Sequence, residues 1–315
     1  MAARQPRAAA FVQRLSTDTM AKYIVESGSG LPARSVGGYW ACGMVCVLLL
    51  ACGGLQARPL SQEPATEMAN AARSLQGITL QLCEDQDEWP PYLYQARENG
   101  KKSGKMVGYS VDVLDAIFSR YNIRYSIQFV PWVRCQKELK QGRSYQLAVN
   151  MSHNPERERD YLLTRSYYST TSYYYYSRKL HPDGLRINKL ADLKKYMVCG
   201  VHGYNYAIYG LNAAEVDQSA KKIPSLVAML PLGRCDLFIE QLEILLGFGV
   251  LGEPVLNDPD LGREPLPGLP PTPFYMAISR NLPQAQALKT LLDTELSEME
   301  ASGKLKELFK KASSK

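Results

Sequence analysis

The sequence predicts an α/β fold with mostly parallel sheets flanked by helices, and three observations carry that expectation. Between residues 78 and 150, short apolar strands alternate with helices across short connections, the order from which a helix-covered parallel sheet is built. A second alternation begins near Leu190. A length of 315 residues leaves room for two lobes of ordinary domain size.

The first 57 residues read as a leader. Trp40–Ala51 (WACGMVCVLLLA) is a continuous apolar run preceded by Arg34 and followed by Cys52-Gly53-Gly54. Such a run matches a signal-peptide core and is short for a membrane span. Two endings compete. Leu49-Leu50-Ala51-Cys52 resembles a bacterial lipobox, which would lipidate Cys52; cleavage after Ala57 would instead release a soluble protein. The stretch before the apolar run is long for a leader, so Met20 or a later codon competes as the start. Either ending exports the chain. Residues 58–76 (RPLSQEPATEMANAARSLQ) then read as a mobile linker.

The elements follow in order. Ile78–Cys83 (ITLQLC) alternates like a strand, and Tyr109–Tyr121 carries Val113, Leu114, Ile117 and Tyr121 at helical spacing. Tyr125–Val130 is the next strand, Arg134–Gln141 a helix stopped by Gly142, and Tyr145–Asn150 the third strand. In the second unit, helix ADLKK precedes strand Met197–Val201, a turn at Gly203 and a further helix. Gly233-Arg234-Cys235 then leads into strand Asp236–Ile239. Leu251–Pro273, rich in proline and glycine, reads as loop; Phe274–Ser279 is a last strand, and Leu288–Ala312 a helix broken near Gly303.

Composition narrows the function. The chain is 45% hydrophobic and 22% charged with a net charge of +6. Its basic residues are scattered or gathered at the C-terminal end (Lys304, Lys306, Lys310, Lys311, Lys315), so no nucleic-acid stripe is present. Cys42, Cys46 and Cys52 fall in the leader. Cys83, Cys135, Cys199 and Cys235 remain, an even set in an oxidising compartment. They show no zinc spacing, and His153, His181 and His202 are dispersed, so no metal or other cofactor is expected.

The segment Asn150–Tyr168 (NMSHNPERERDYLLTRSYY) holds the most chemistry. Asn154-Pro155-Glu156-Arg157 is a helix start, with Asn as cap, Pro at the first helical position and Glu toward the positive dipole end. Ser152 and Arg157 thus sit where a strand ends and a helix begins, the place at which open α/β sheets bind ligands. A hydroxyl, backbone N–H groups and a guanidinium fork there suit a carboxylate; a plain helix cap with a solvated arginine is the competing reading.

An ordered set of motifs runs along residues 78–312. It comprises Trp89-Pro90-Pro91-Tyr92-Leu93-Tyr94, Gly108-Tyr109-Ser110-Val111-Asp112, Pro131-Trp132, and Asn154-Pro155-Glu156-Arg157 followed by Tyr167. It continues with Asp192-Leu193, Gly233-Arg234-Cys235-Asp236, Phe274–Arg280 and Gly303-Lys304-Leu305. In this order the set resembles the bacterial extracellular solute-binding proteins of family 3, the amino-acid-binding type of periplasmic receptor.

That resemblance implies a two-lobed periplasmic-binding fold of type II, with two crossing segments at a hinge. Mapped here, lobe 1 is 78–170 plus 259–315 and lobe 2 is 171–258, with Tyr167–Ser177 as the first crossing and its tyrosines packed at the hinge or lining the cleft. It places a ligand carboxylate on Arg157 and Ser152 beside the strand end at Asn150. The turn Gly203-Tyr204-Asn205 would add backbone N–H groups from lobe 2 or serve as an ordinary tight turn. Trp89 and Trp132 would wall the cleft or belong to the core.

One position departs from the family pattern. The residue that pairs with the ligand's α-ammonium is usually Asp; here it is Gln241, with Glu240 beside it. Neighbouring strand residues face opposite sides, so Glu240 is not expected to substitute, and a ligand without a simple ammonium is an equal reading. The acidic run Glu84, Asp85, Asp87 and Glu88 would meet a cationic group or form a solvated loop. The same mapping pairs Cys83 with Cys135 and Cys199 with Cys235.

The function so implied is non-catalytic: capture of a small polar, carboxylate-bearing solute, an amino acid or related compound, outside the cytoplasmic membrane, by a monomer that delivers it to an ABC permease. Two alternatives share the fold. One is a sensory or accessory protein signalling to a separate partner. The other is a dehydratase resembling those that act on cyclic precursors of aromatic amino acids, for which Glu240 and His153 are the available acid/base groups.

Overall fold

The computed structural model describes residues 63–313. The expected leader (1–57), Cys52 and the first residues of the expected linker lie outside the described residues. The remainder of that linker is a helix, α1 (Glu63–Leu75), which buries Ala71 and Leu75 and packs along the helix Ala285–Ala301. Its polar composition suggested disorder. Four alanines and the helically spaced Met68, Ala71 and Leu75 provide the propensity and the apolar stripe that override it.

The chain then runs through β1 (Thr79–Asp85), a hairpin of β2 (Tyr94–Glu98) and β3 (Lys101–Val107), α2 (Tyr109–Phe118), β4 (Arg124–Val130), α3 (Trp132–Gln141) and β5 (Leu147–Ser152). Next come α4 (Pro155–Asp160), β6 (Tyr161–Leu163), β7 (Tyr168–Thr170), β8 (Ser172–Ser177), β9 (Val198–Val201), β10 (Val216–Ala220), α5 (Ile223–Met229) and β11 (Leu237–Gln241). The last elements are α6 (Leu242–Gly247), β12 (Leu261–Pro265), β13 (Thr272–Ser279), α7 (Ala285–Ala301) and α8 (Lys304–Ser313).

These strands form two larger sheets. The first has the order β4-β1-β5-β13-β6, with β7 paired to β13. Its members β4, β1 and β5 are parallel, in a register that sets Leu82 beside Ile127 and Leu147. The second has the order β10-β9-β11-β8-β12, with β10, β9 and β11 parallel. The chain passes between the sheets twice. Only Thr171 separates β7 of the first sheet from β8 of the second, and Thr171 N–H donates to Glu243 Oε2 at 2.9 Å. The return runs from β12 in the second sheet to β13 in the first.

Several local expectations need correcting. Residues 261–265 pair with β8 as an antiparallel edge strand, although their proline-rich setting reads as loop and the 259–315 mapping assigned them to lobe 1. An edge position and a proline at the strand's end reconcile the two. The edge strand β10 and the hairpin β2–β3 are short and polar, VDQSA and KKSGKMV, and carry little strand signal. The ADLKK segment is a 3-10 rather than an α-helix.

The tyrosine run Tyr173–Tyr176 packs. Tyr175 stacks on Phe238 with ring centroids 4.9 Å apart, and Tyr174 and Tyr176 join the second lobe's core with Leu193, Val198 and Leu237. Both expected disulfides form, Cys83–Cys135 and Cys199–Cys235, with Cα separations of 5.6 and 5.7 Å. The first ties β1 to α3. Gly108, at φ 124, lets α2 start against the Trp89–Tyr92 loop, since a Cβ there would meet Tyr92 O at 2.4 Å. The N–H groups of Tyr109 and Ser110 bond the carbonyls of Pro91 and Tyr92 as a result.

Candidate functional site

A cleft opens between the sheets, where the C-terminal ends of β1, β5 and β11 meet the turn after β9. All nine residues expected from the sequence line it: Trp89, Trp132, Asn150, Ser152, Arg157, Tyr204, Asn205, Glu240 and Gln241. His153 does not. It is exposed and pairs with Glu158 at 3.0 Å, so it forms no acid/base pair with Glu240.

Arg157 is placed by its own helix cap. Asn154 Oδ1 accepts the Arg157 N–H at 2.7 Å and starts α4, which turns the guanidinium back over the end of β5. There Nη1 donates to Ser152 O at 2.9 Å and Ser152 Oγ at 2.8 Å, and Nη2 donates to Gly203 O at 3.4 Å. The guanidinium carbon lies 5.8 Å from the Trp132 ring centre, within cation–π range. Arg157 is buried, and among the described residues it forms no ion pair. Burial lowers its pKa to about 10, so it remains charged near neutrality.

The turn at Gly203 works differently from the expected anion grip. Gly203 N–H donates to Gln218 Oε1 at 3.2 Å and Tyr204 N–H to Val201 O at 3.2 Å. Those donors are spent inside the second lobe, and the turn meets the first through other groups. Gly203 O accepts from Arg157; Asn205 Nδ2 donates to His153 O at 2.8 Å and Ser152 Oγ at 3.3 Å; Tyr204 OH donates to Asp85 Oδ2 at 2.9 Å.

The acidic run is no solvated loop. Glu84, Asp85, Asp87 and Glu88 are all buried, the first two at the end of β1 and the others in the loop that follows it. Glu88 is neutralised by Arg97 at 2.8 Å and Lys102 at 2.9 Å on the hairpin. Asp87 accepts the N–H of Ile223, at the start of α5, at 2.6 Å. Glu84 and Asp85 line the cleft. Burial raises Glu84 to about 8 and Asp87 to about 7, and it also raises Asp85.

Asn150 organises this edge. It adopts φ 56 inside β5, a conformation Asn tolerates better than most residues. Its Oδ1 accepts from Ser110 Oγ, Tyr167 OH and Tyr168 OH at 2.7–3.0 Å, and its Nδ2 donates to Glu84 Oε2 at 2.6 Å. Trp89 Nε1 donates to Tyr168 OH at 3.2 Å, and the indole meets the Tyr204 ring edge-on at 5.8 Å.

Gln241 and Glu240 both reach the cleft, contrary to the strand-alternation argument. β11 ends at Gln241 and the cleft lies beyond the strand's end, so either face opens onto it. Gln241 Oε1 accepts from Thr170 Oγ1 at 2.7 Å and from Ser172 Oγ at 3.3 Å, and Nε2 donates to Tyr209 OH at 2.8 Å. Glu240 Oε1 accepts the Gln241 N–H at 2.8 Å, while Oε2 is buried without a partner. Burial, reinforced by Asp87 and Asp85, raises Glu240 to about 8.

The sequence reading missed Tyr206, Ile208, Tyr209, Ile239, Thr272 and Phe274, which also line the cleft. Two of these pairs had a usable signal. Tyr206 and Tyr209 are three apart across a 3-10 turn and so share a face; Thr272 and Phe274 alternate at the start of β13.

Comparison with known proteins agrees with this architecture. The model of the bacterial extracellular solute-binding proteins, family 3, matches residues 81–314. Among solved structures, the chain is similar to the substrate-binding protein of an amino acid ABC transporter, with 17% identity, a TM-score of 0.58, and coverage of 74% of this chain and 98% of that one. It is also similar to an ABC uptake transporter substrate-binding protein from Streptococcus pneumoniae with bound histidine (18%, 0.58, 78% and 94%). A third is EhuB in complex with hydroxyectoine (17%, 0.59, 78% and 93%). No curated protein sequence matches significantly. The chain belongs to the bacterial extracellular solute-binding proteins of family 3. Among the described residues no helix is long and apolar enough to cross a membrane, and no group of side chains is arranged to hold a metal ion.

Proposed function

We propose that this family 3 solute-binding protein captures a small carboxylate-bearing solute, an amino acid or a close relative, between two lobes and hands it to an ABC permease. One observation carries the reading. Arg157 is a buried guanidinium on the cleft wall, oriented by Ser152 and Gly203, stacked by Trp132 and without a carboxylate partner among the described residues. A buried charge left unpaired costs several kcal/mol, roughly 3–5 when a partner is lacking, and a bidentate carboxylate from solution is the partner that fits the fork.

The two-lobe division supports the same reading: among the described residues the chain passes between the sheets only where β7 leads to β8 and β12 to β13, a hinge arrangement of the kind that closes on ligands. The amino acid class is supported by the family and by similar structures whose titles name an amino acid transporter and bound histidine. Thermal-shift screening of the purified protein against amino acids, organic acids and polyamines tests it. Stabilisation by carboxylate-bearing solutes and none by polyamines is expected; stabilisation by polyamines alone would refute it.

A further inference from the structure

The end of the second lobe where β9 and β11 begin lies opposite the cleft and carries a different chemistry. Four large apolar side chains are well exposed among the described residues, and three of them gather here: Leu180 at 48%, Met197 at 56% and Leu232 at 69%. The fourth, Val133, lies at the contact with Gly203 between the lobes. The closeness of the three follows from the backbone. A Cβ on Gly233, next to Leu232, would meet Leu180 Cδ1 at 3.8 Å. Met197 N–H donates to Asp236 Oδ2 at 2.7 Å, and Met197 O accepts the Asp236 N–H at 3.0 Å. Asp236 also meets His181, the neighbour of Leu180, at 3.5 Å. The Cys199–Cys235 bridge ties the two chain segments that carry Met197 and Leu232, so those tips hold a fixed spacing.

Basic residues flank each tip. Arg178 and Lys179 precede Leu180, Arg234 follows Gly233, and Lys195 stands just before Met197. Arg186 N–H bonds the hydroxyl of Tyr196, the neighbour of Met197, at 3.0 Å. All of these basic residues are exposed, and of them Lys195 is paired with Asp192. Of the carboxylates at this end, Asp192 is buried, Asp236 and Asp260 are half-buried and accept from N–H groups, and Asp183 is exposed. The exposed charge is therefore predominantly positive.

Leucine and methionine tips among lysines and arginines suit an anionic lipid surface, where apolar groups enter the interface and basic groups meet phosphates. A protein partner fits less well, because interface cores are rich in aromatic rings and poor in lysine. Here Tyr174 and Tyr176 are buried while Lys179 and Lys195 are exposed. We propose that this end of the second lobe docks on an anionic phospholipid surface, with Leu180, Met197 and Leu232 entering the headgroup layer and the flanking basic groups meeting lipid phosphates. The cleft, at the other ends of the same strands, stays clear of the lipid, so docking and solute capture are compatible. The contact is reversible, since three apolar tips bury far less than a spanning helix does.

The test is co-sedimentation of the purified protein with vesicles of mixed phosphatidylglycerol and phosphatidylcholine, and with vesicles of phosphatidylcholine alone. Binding to the anionic vesicles should be at least about tenfold stronger and should weaken at roughly 0.5 M salt, where screening shortens the reach of the charges. Leu180→Ser/Leu232→Ser should reduce it by about tenfold through lost apolar burial, and Lys179→Glu/Arg186→Glu by about tenfold or more through reversed charge. Both variants should melt close to the wild type, because exposed positions contribute little to stability. No binding to the anionic vesicles overturns the proposal, as does binding that both variants retain in full. A wild-type dimer that Leu180→Ser/Leu232→Ser abolishes also overturns it, because a second copy would then occupy the surface. Each of these outcomes leaves the Arg157 reading standing.

Discussion

Tyr204 of the second lobe donates its hydroxyl to Asp85 Oδ2 of the first at 2.9 Å, a bond that exists only when the lobes meet. The same ring closes edge-on against Trp89, so one side chain supplies both a polar and an apolar contact across the cleft. Tyr204→Phe keeps the ring and removes the bond. Hydrogen bonds to charged groups contribute about 1.5–3 kcal/mol, and solute affinity should fall by roughly tenfold or more. Calorimetric titration checks this; unchanged affinity would show that the contact does not support the bound state.

Acidity should stabilise the solute-free protein. Burial raises Glu84 and Glu240 to about 8 and Asp87 to about 7, from 4.5 and 3.8. The folded state therefore retains protons that the unfolded chain has released, and stability falls as pH rises from about 4.5 to about 8. Scanning calorimetry should give a melting temperature several degrees higher near pH 5 than near pH 8. Glu240→Gln should flatten part of that slope, and a melting temperature rising over this range would contradict the assignment.

The two disulfides should separate by function. Cys83 precedes Glu84 on β1, and Cys135 lies one turn beyond Trp132 on α3, so that bridge braces the cleft edge. Cys199–Cys235 joins the second lobe away from the cleft lining. Removing either pair should cost about 2–5 kcal/mol in urea unfolding. Only the Cys83→Ser/Cys135→Ser variant should also weaken solute binding.

Asn150→Ala should destabilise the first lobe. It strips an acceptor from three hydroxyl groups and a donor from Glu84, and it leaves alanine at a positive φ. A loss of about 2–4 kcal/mol in chemical denaturation is expected, since several buried polar groups lose their partners together.

Much of the site was legible because its residues sit at junctions that local chemistry marks. Asn154-Pro155 announces a helix start, and the start fixes where Arg157 points; the strand before it fixes Ser152. What the sequence concealed depends on tertiary cover. Glu84, Asp85 and Asp87 read as surface because acidic runs usually are, whereas tertiary packing buries them: Asn150 meets Glu84, and Tyr204 and Ile223 of the second lobe meet Asp85 and Asp87. Alternation along β11 excluded Glu240 because the argument assumed a continuing strand, whereas the strand stops at Gln241. The Gly203 turn was found, yet the N–H groups of Gly203 and Tyr204 are spent on Gln218 and Val201, a pairing no local pattern reveals. Residues 261–265 were hidden for a related reason: an edge strand needs partners on one side only and tolerates the prolines that spoil a central one.

The central claim is that Arg157 anchors a solute's carboxylate, and titration of Arg157→Met with the best solute from the screen tests it most directly. Met keeps the packing against Trp132 and removes the fork, so affinity should drop by roughly 100-fold or more. Arg157→Lys should recover only part of the loss, because an ammonium does not reproduce bidentate geometry. Wild-type affinity in Arg157→Met would contradict the account.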